Sequence, residues 1–593
     1  MPRDSNPQDD GESSREVSKL SRRNLIRVAG TGLLATTALE HTSPSVAATD
    51  TAEKIEGSEA DPWRPAFHFA PPNGWINDPN GLVYHDGVYH LFFQYHPHDP
   101  WWEKIQWGHA TSEDLFSWAY HGLKLPFDDE NNIAKFSGGA TIDEENTAGF
   151  GEDALILSYT GAHFDDPIQD QRIAYSTDNG KTVTPYDGNP VVDTDDPEFR
   201  DPNVFWYEPD QRWIMAVSRV HDGDEDGEER PAGIEIYRSE DHIDWTYEST
   251  FTNDEYNELV GDESESVYGY HSHSPEANLW ECPDLFELPV EGSDETKWVM
   301  TVSVDHQRED HLVGDFDGSE FTMERRELAD YGYDYYAAIS WDNEPDDRLI
   351  QLGWASHWPY AELVPETGWR GSMSVPRELT LEKGDDGVEL RQRPVAELAT
   401  LRRETLAEVR SGEITPGRDP LEGTDAEGRS LEIHATIDPH SADTFGFRVR
   451  EGENDESLVT YYTDPDDVPV VDASPSEGVP QLVFQRTDSS TDGPADDFFD
   501  EGQEDATSMP LEPREDGTIE LHILVDRSTV EIFANDGDRT MTNLVFPDWD
   551  STGVSLFAEN GAAKVEDLVV YDLDPQPLGV TLHEGSHEGS YSE

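Results

Sequence analysis

The chain has 593 residues, more than one ordinary core can organise, so two or more domains are expected. Forty Lys and Arg face 128 Asp and Glu, for a net charge of −88, which disfavours nucleic acid as a partner, because phosphates need a basic surface. The single cysteine, Cys282, excludes an intrachain disulfide and a Cys-rich zinc site, and the 16 Trp argue against an acidic disordered chain. A chain so charged repels itself until salt screens it, with a Debye length of about 10 Å at 0.1 M and about 3 Å at 1 M. The composition therefore reads as that of a protein built for very salty water.

Residues 1–18 are polar. Ser21-Arg22-Arg23-Asn24-Leu25-Ile26-Arg27 precedes a mildly apolar run, Val28–Leu39, and small residues at Val46-Ala47-Ala48. Twin arginines before a short apolar segment read as a Tat-type export signal over 1–48, with cleavage near Ala48. The run is too short and too rich in Gly and Thr for a permanent span, so no stable membrane insertion is expected after cleavage; an uncleaved, tethered form stays open. Residues 49–61 read as an acidic linker.

From 62 to 393, short runs rich in Tyr, Phe, Trp, Val and Ile alternate with Asp, Gly, Asn and Pro turns. Examples are Ala154–Tyr159, Asn203–Tyr207, Gly233–Arg238, Trp298–Val304 and Leu349–Trp354. Helical periodicity is nearly absent. Many short strands at even spacing indicate an all-β domain, a propeller or a large sandwich. The phrases Ser112-Glu113-Asp114, Ser176-Thr177-Asp178 and Ser239-Glu240-Asp241 each close a strand and open a turn, which favours repeated blades. Residues 394–403 read as a linker with a short helix. Strands return over 404–575, among them Leu431–Ile437, Ile519–Val525 and Thr529–Ala534, in the pattern of a β-sandwich. The acidic tracts Asp222–Glu229 and Asp492–Asp505 lack the spaced ligands of a calcium loop and read as solvated loops. His271-Ser272-His273 and the stretch His306–His311 read as ordinary polar loop residues, so no metal site is expected. Residues 576–593 read as a disordered tail.

Three acids share one phrasing. Asp78 lies in Asn77-Asp78-Pro79-Asn80-Gly81, Asp201 in Arg200-Asp201-Pro202, and Glu281 in Trp280-Glu281-Cys282-Pro283. Each carboxylate stands beside a proline at a strand edge, and the three are far enough apart for separate blades. Inner strands of blades converge on one axis, so three such acids would crowd one funnel.

These three motifs resemble the signatures of glycoside hydrolase family 32, the β-fructofuranosidases. The resemblance runs in family order over about 63–575. It includes Phe92-Phe93-Gln94-Tyr95, Trp107-Gly108-His109, Phe136-Ser137-Gly138, Tyr333-Asp334-Tyr335-Tyr336-Ala337, Gly353-Trp354-Ala355 and Val525-Asp526-Arg527. It implies a five-bladed β-propeller followed by a C-terminal β-sandwich. It also implies a retaining hydrolase of terminal β-D-fructofuranosides, in fructans or sucrose, with no cofactor. Asp78 would be the nucleophile, Glu281 the acid and base, and Asp201 the stabiliser of the developing charge, with Arg200 beside it. The nucleophile and acid carboxyls should then lie roughly 5–5.5 Å apart, and crowding should keep Glu281 protonated near neutral pH. Asn77, Gln94, Ser137 and Asp334 would bind sugar hydroxyls, and Trp102, Phe136 and Trp354 would form apolar walls. Around Trp102, the segment Asp99–Gln106 departs from the usual small, Gly-containing pattern. Cys282 is either a small buried residue or a tuning group. A fructosyltransferase and a non-catalytic fructan-binding protein are the alternatives; intact acids speak against the second. The signal implies secretion, as a monomer or homodimer.

Overall fold

The computed structural model describes residues 53–165, 167–220, 223–225, 228–260, 279–384, 387–453, 455–468, 478–486 and 506–580. The export-signal reading, His271-Ser272-His273 and Asp492–Asp505 lie outside these residues.

Five antiparallel sheets follow one another along the chain. The first blade runs outward from Gly74–His85 through Val88–His96 and Gln106–Ser112 to Ala119–Leu125. The second is built on Ala140–Asp143, Ala154–His163, Gln169–Ser176 and Thr184–Pro185. The third and fourth start at Phe199–Tyr207 and Trp280–Pro289, the fifth at Tyr336–Ser340. Together they form a five-bladed β-propeller. The ring is tied where Trp369–Arg370, from the fifth-blade segment, pairs parallel with Gly74 and Trp75 of the first.

The Ser-x-Asp phrases occupy the same place in the first three blades, the turn from third to fourth strand. In each, the Asp carboxylate caps the turn. Asp114 accepts from Ser112 Oγ (3.0 Å) and from the Phe116 and Ser117 amides. Asp178 accepts from Ser176 Oγ (2.9 Å) and the Thr182 amide, and Asp241 from Ser239 Oγ (3.0 Å) and the Ile243 and Asp244 amides. The repeat is therefore a turn chemistry, a side-chain oxygen standing in for a backbone acceptor.

A short 3-10 helix, Ala396–Leu401, buries Leu398 and Leu401 and leads into the second half. There a sheet ordered 402–409, 563–573, 431–438, 519–525, 529–534, 539–544 faces another ordered 506–510, 481–485, 457–462, 444–451, 553–559. Between them lies one apolar core that includes Ile433, Ile437, Phe445, Phe447, Ile523 and Ile532. This is the β-sandwich.

Three expectations change. The linker read at 49–61 contains a strand, Glu53–Ile55, and the tail read from 576 begins with another, Leu578–Val580; the two pair with each other, and the second also adds to the first blade. Leu578 is buried, and the Gln576 amide bonds to Ala66 O, so apolar contact and backbone pairing hold a segment whose polar composition suggested fraying. The acidic stretch at 222–229 contains a small antiparallel hairpin, Gly223–Glu225 against Glu228–Arg230. A single short α-helix among the described residues, Asn253–Val260, follows the outer strand of the third blade; eight residues give too little periodicity to stand out.

Candidate active site

The innermost strands of four blades share a defect. The ladder slips between Ile76 and Pro79 in the first blade, Arg200 and Asn203 in the third, Glu281 and Asp284 in the fourth, and Tyr336 and Ile339 in the fifth. Pro202 and Pro283 sit inside these bulges, where a missing N–H breaks no ladder bond, and Pro79 closes its own, opposite Phe93. Asp201 and Cys282 take positive φ there, 64° and 49°, a sparsely populated conformation for residues with a Cβ. The acid-proline phrasing thus marks the points where inner strands turn a side chain toward the axis. Gly81 completes the first motif. Its φ is 49°, and its amide bonds to Gly138 O of the second blade (3.0 Å). A Cβ at Gly81 would crowd Phe92 and Trp107 of the same blade at 3.0 and 3.2 Å, and the positive φ also favours glycine.

The bulges bring the three acids together, all of them buried. Cys282 is the common neighbour. Its Sγ lies 3.8 Å from Asp78 Oδ2 and 3.7 Å from Asp201 Oδ2, and its amide donates to Asp201 Oδ2 (3.2 Å). Asp78 is held on both oxygens: Asn77 Nδ2 donates to Oδ1 (2.9 Å), and Gln94 Nε2 (2.9 Å) and Ser137 Oγ (2.5 Å) donate to Oδ2. Asn77 is fixed in turn by Trp75 Nε1 (2.9 Å). Glu281 is also held on both oxygens. Arg200 Nε donates to Oε1 (2.9 Å) and the Tyr336 hydroxyl to Oε2 (2.9 Å), with His306 Nε2 3.0 Å from Oε2.

The electrostatics follow from burial and crowding. Asp201 is pushed up to about 7, first by burial; Arg200 opposes, and Glu281 and Asp78 add repulsion. The Cys282 thiol is held well above its usual range by burial and by the same acids, so it stays a neutral thiol. Burial alone would lower the Arg200 guanidinium, but Glu281, Glu198 and Asp201 more than reverse this and fix it as a cation.

Aromatic side chains wall the acids. Trp75, Cys282, Tyr336 and Trp354 pack in one cluster, with Trp102 and Trp358 against it, and Trp102 also meets Phe136 (5.8 Å between centroids). The Trp354 indole N–H is buried without a protein acceptor. Further along the same inner strands, Asn203 Nδ2 donates to Asp284 Oδ1 (2.8 Å) beside a cavity of ≈ 370 Å³ that Leu82, Gly139 and Trp341 also line.

Asn77, Gln94, Ser137 and Arg200 thus gather directly on the acids, and Trp102, Phe136 and Trp354 around them. Asp334 does not join them. Its carboxylate is fully buried and taken up by Arg486 Nη1 (2.9 Å), the Leu544 amide (2.7 Å) and the Tyr360 hydroxyl (2.5 Å). Arg486 and Leu544 belong to the sandwich, so Asp334 joins the two halves and does not face a sugar. Two residues that the sequence reading missed reach Glu281 instead, Tyr336 and His306. Tyr336 lies in the same quoted phrase as Asp334, two residues on, at the fifth-blade bulge. The polar-loop reading of His306–His311 also changes: His306 faces Glu281, and His311 is buried in a strand, 3.2 Å from Gln351 Oε1.

Among the described residues, one group has the makeup of a metal site, Glu432 with His434 and His522. Both ring Nε2 atoms lie 2.9 Å from Glu432 Oε1, and Arg402 clasps the carboxylate with Nε at 2.6 Å and Nη2 at 2.8 Å. The cation already there makes this a closed ion-pair knot.

A propeller whose inner strands deliver paired carboxylates into an aromatic-walled pit is the apparatus of a glycoside hydrolase. The chain belongs to glycosyl hydrolases family 32, whose N-terminal domain matches residues 68–394 and whose C-terminal domain matches 397–572. It is 39% identical over 531 residues to a levanase of Bacillus subtilis strain 168, covering 86% of this chain and 70% of that protein. It is 30% identical over 559 residues to an extracellular exo-inulinase of Aspergillus awamori, covering 86% and 95%. Among solved structures, the fructofuranosidase of Schwanniomyces occidentalis complexed with fructose superposes with a TM-score of 0.72 at 27% identity, over 88% of this chain and 100% of that one.

Proposed function

We propose that the chain is an exported, retaining β-fructosidase that removes terminal fructose from fructans and sucrose. The observation that carries this reading is the pairing of Asp78, acceptor-only and held on both oxygens, with Glu281, whose two oxygens are made unequal. Arg200 presents a fixed N–H to Oε1, whereas the Tyr336 hydroxyl at Oε2 can turn to accept, so the proton of the acid form belongs on Oε2. That oxygen faces Tyr336 and His306 and is the one that serves the leaving group.

In the first half-reaction an Asp78 oxygen attacks the anomeric carbon while Glu281 Oε2 gives its proton to the departing oxygen. The carbon–oxygen bond to the leaving sugar breaks, and an ester to Asp78 forms. In the second, the Glu281 carboxylate takes a proton from water, the hydroxide attacks the same carbon, and Asp78 leaves. Two inversions give retention. Asp201, close to Arg200 and next to Cys282, faces the charge that develops on the ring. Asn77 and Gln94 orient Asp78, and the unpaired Trp354 N–H is suited to donate to a sugar hydroxyl.

The test is a time course with purified protein in high salt on sucrose, inulin and levan. Fructose as the sole early product from inulin and levan, with an equal amount of glucose released from sucrose, supports the reading. Longer oligomers built from sucrose would point to transfer, and internal fragments of inulin or levan to endo-cleavage.

The extracellular exo-inulinase relative supports action outside the cell, which fits the twin-arginine reading of Arg22-Arg23. Among the described residues no helix is long and apolar enough to cross a membrane. Adaptation to concentrated salt is part of the same proposal. Much of the small stock of cations is tied to several acids at once, as Arg348 is to Glu344, Glu397 and Glu378. The remaining carboxylates repel one another through water. Raising KCl from about 0.1 to about 2 M should raise the thermal midpoint by roughly 10 °C, read by scanning calorimetry. A midpoint independent of salt would sink the halophilic reading.

A further inference from the structure

His306 is placed on Glu281 by a turn that favours a different residue. The fourth blade's second and third strands, Thr296–Val304 and Arg308–Phe316, are joined by Asp305, His306 and Gln307. The Gln307 amide bonds to Val304 O (3.0 Å), and both central residues have positive φ, 53° at Asp305 and 63° at His306. Two successive positive φ values are the signature of a type I′ turn, whose second central position is the usual place of glycine. Histidine there is strained. A strained residue at a site is a reason to ask what its side chain does.

The ring reaches back over the acid. Nε2 lies 3.0 Å from Glu281 Oε2, the His306 amide donates to the Tyr336 hydroxyl (3.2 Å), and the Trp358 ring lies 6.3 Å away. The Nε2 approach is within hydrogen-bond distance, though not aligned as a hydrogen bond. Because Arg200 holds Oε1, the acidic proton of Glu281 lies on Oε2, the oxygen that His306 faces. Nε2 can take that proton when the ring carries its hydrogen on Nδ1.

We infer that His306 is a positioning residue that shares one proton with Glu281, the pair holding it on either Oε2 or Nε2. This rests on the role proposed for Glu281. No proton is gained or lost in the exchange: neutral acid beside neutral imidazole becomes carboxylate beside imidazolium. Substrate then competes with His306 for the Oε2 proton. The charged and titratable neighbours are Arg200 from the third blade, Tyr336 from the fifth, Cys282 with Asp78 and Asp201 behind it, and Asp305 on the turn itself, which accepts the Leu279 amide (3.0 Å).

The consequence is a basic limb that belongs to the pair. Two sites can hold the last proton, so it leaves at a higher pH than it would leave Glu281 alone. In His306→Gln the basic limb of kcat/KM on sucrose should move to lower pH by roughly one unit. Loss of packing alone would lower the rate at every pH and leave the limb in place. An unmoved limb in His306→Gln overturns the shared proton. If Glu281→Gln itself kept near-normal activity on sucrose, the role of Glu281 would fail instead.

Discussion

Asp78→Ala should lose roughly 10⁴-fold or more in kcat on sucrose and on fructan, with its unfolding midpoint close to that of the parent. The size of the loss follows from what would be removed. Asp78 has both oxygens held by neutral donors, so it stands fixed and poised, and neither Asp201 nor Glu281 is presented in that manner. The fold should tolerate the change because the partners left behind satisfy one another: Gln94 Nε2 already donates to Ser137 Oγ, and Asn77 Nδ2 donates to Gln94 Oε1 (3.0 Å). The vacated space also gives a chemical signature. A small external nucleophile such as azide should restore part of the turnover from the same face and give a fructosyl azide of inverted configuration, since one displacement replaces two. Glu281→Gln should behave differently. It should lose about 10²–10⁴-fold on sucrose but much less on a fructoside with an acidic phenol leaving group, which needs little protonation. Near-normal turnover in Asp78→Ala, or azide products of retained configuration, would remove Asp78 from the nucleophile's role.

Much of this site was legible because bulges leave a written trace. A proline inside an inner strand must sit where the ladder is broken, so Asp78-Pro79, Asp201-Pro202 and Cys282-Pro283 announce both an irregularity and the acid beside it. Blade repetition was legible for a similar reason. Ser112 with Asp114, Ser176 with Asp178 and Ser239 with Asp241 are local turn chemistry, and local chemistry survives in one dimension.

What escaped depends on distance in the chain. Asp334 looks like a ligand for sugar because it is a charge in a motif beside the site. Only the arrival of Arg486, 152 residues later, shows that its charge is spent on holding the two halves together. His306 looks like a loop residue because its significance lies in the direction a type I′ turn aims it. The pairing of Glu53–Ile55 with Leu578–Val580 joins opposite ends of the described chain, and neither strand is long enough to announce itself.

The joint between propeller and sandwich should give the protein an alkaline stability limb that one substitution removes. His68, before the first blade, is fully enclosed between two sandwich carboxylates, with Nδ1 2.8 Å from Asp526 Oδ2 and Nε2 2.8 Å from Glu531 Oε1. Asp526 also accepts the Ala66 and Phe67 amides, and Glu531 also holds Arg377 Nη2 (2.8 Å) and the Val375 amide (2.8 Å). Burial by itself would lower the imidazole, but two carboxylates at its two nitrogens outweigh it and raise His68 to about 9. The same contact holds Asp526 down at about 2, against the opposing effect of burial, and Glu531 is lowered too. The signs then fix the window. A group raised on folding stabilises fully below its unfolded value, about 6.5, and loses that contribution as pH climbs toward 9. The lowered carboxylates contribute above about 4 and lose it as pH falls toward 2. Read from the imidazole, whose shift both carboxylates share, the joint is worth about 3 kcal/mol between these limits; read from Asp526, the contact is worth about 2 kcal/mol. At constant high salt, the parent's midpoint should fall between pH 6.5 and 9. His68→Gln should start lower at pH 6, stay nearly flat over that range, and meet the parent near pH 9. Two curves that ran parallel across the window would show that the imidazole is not charged in the joint.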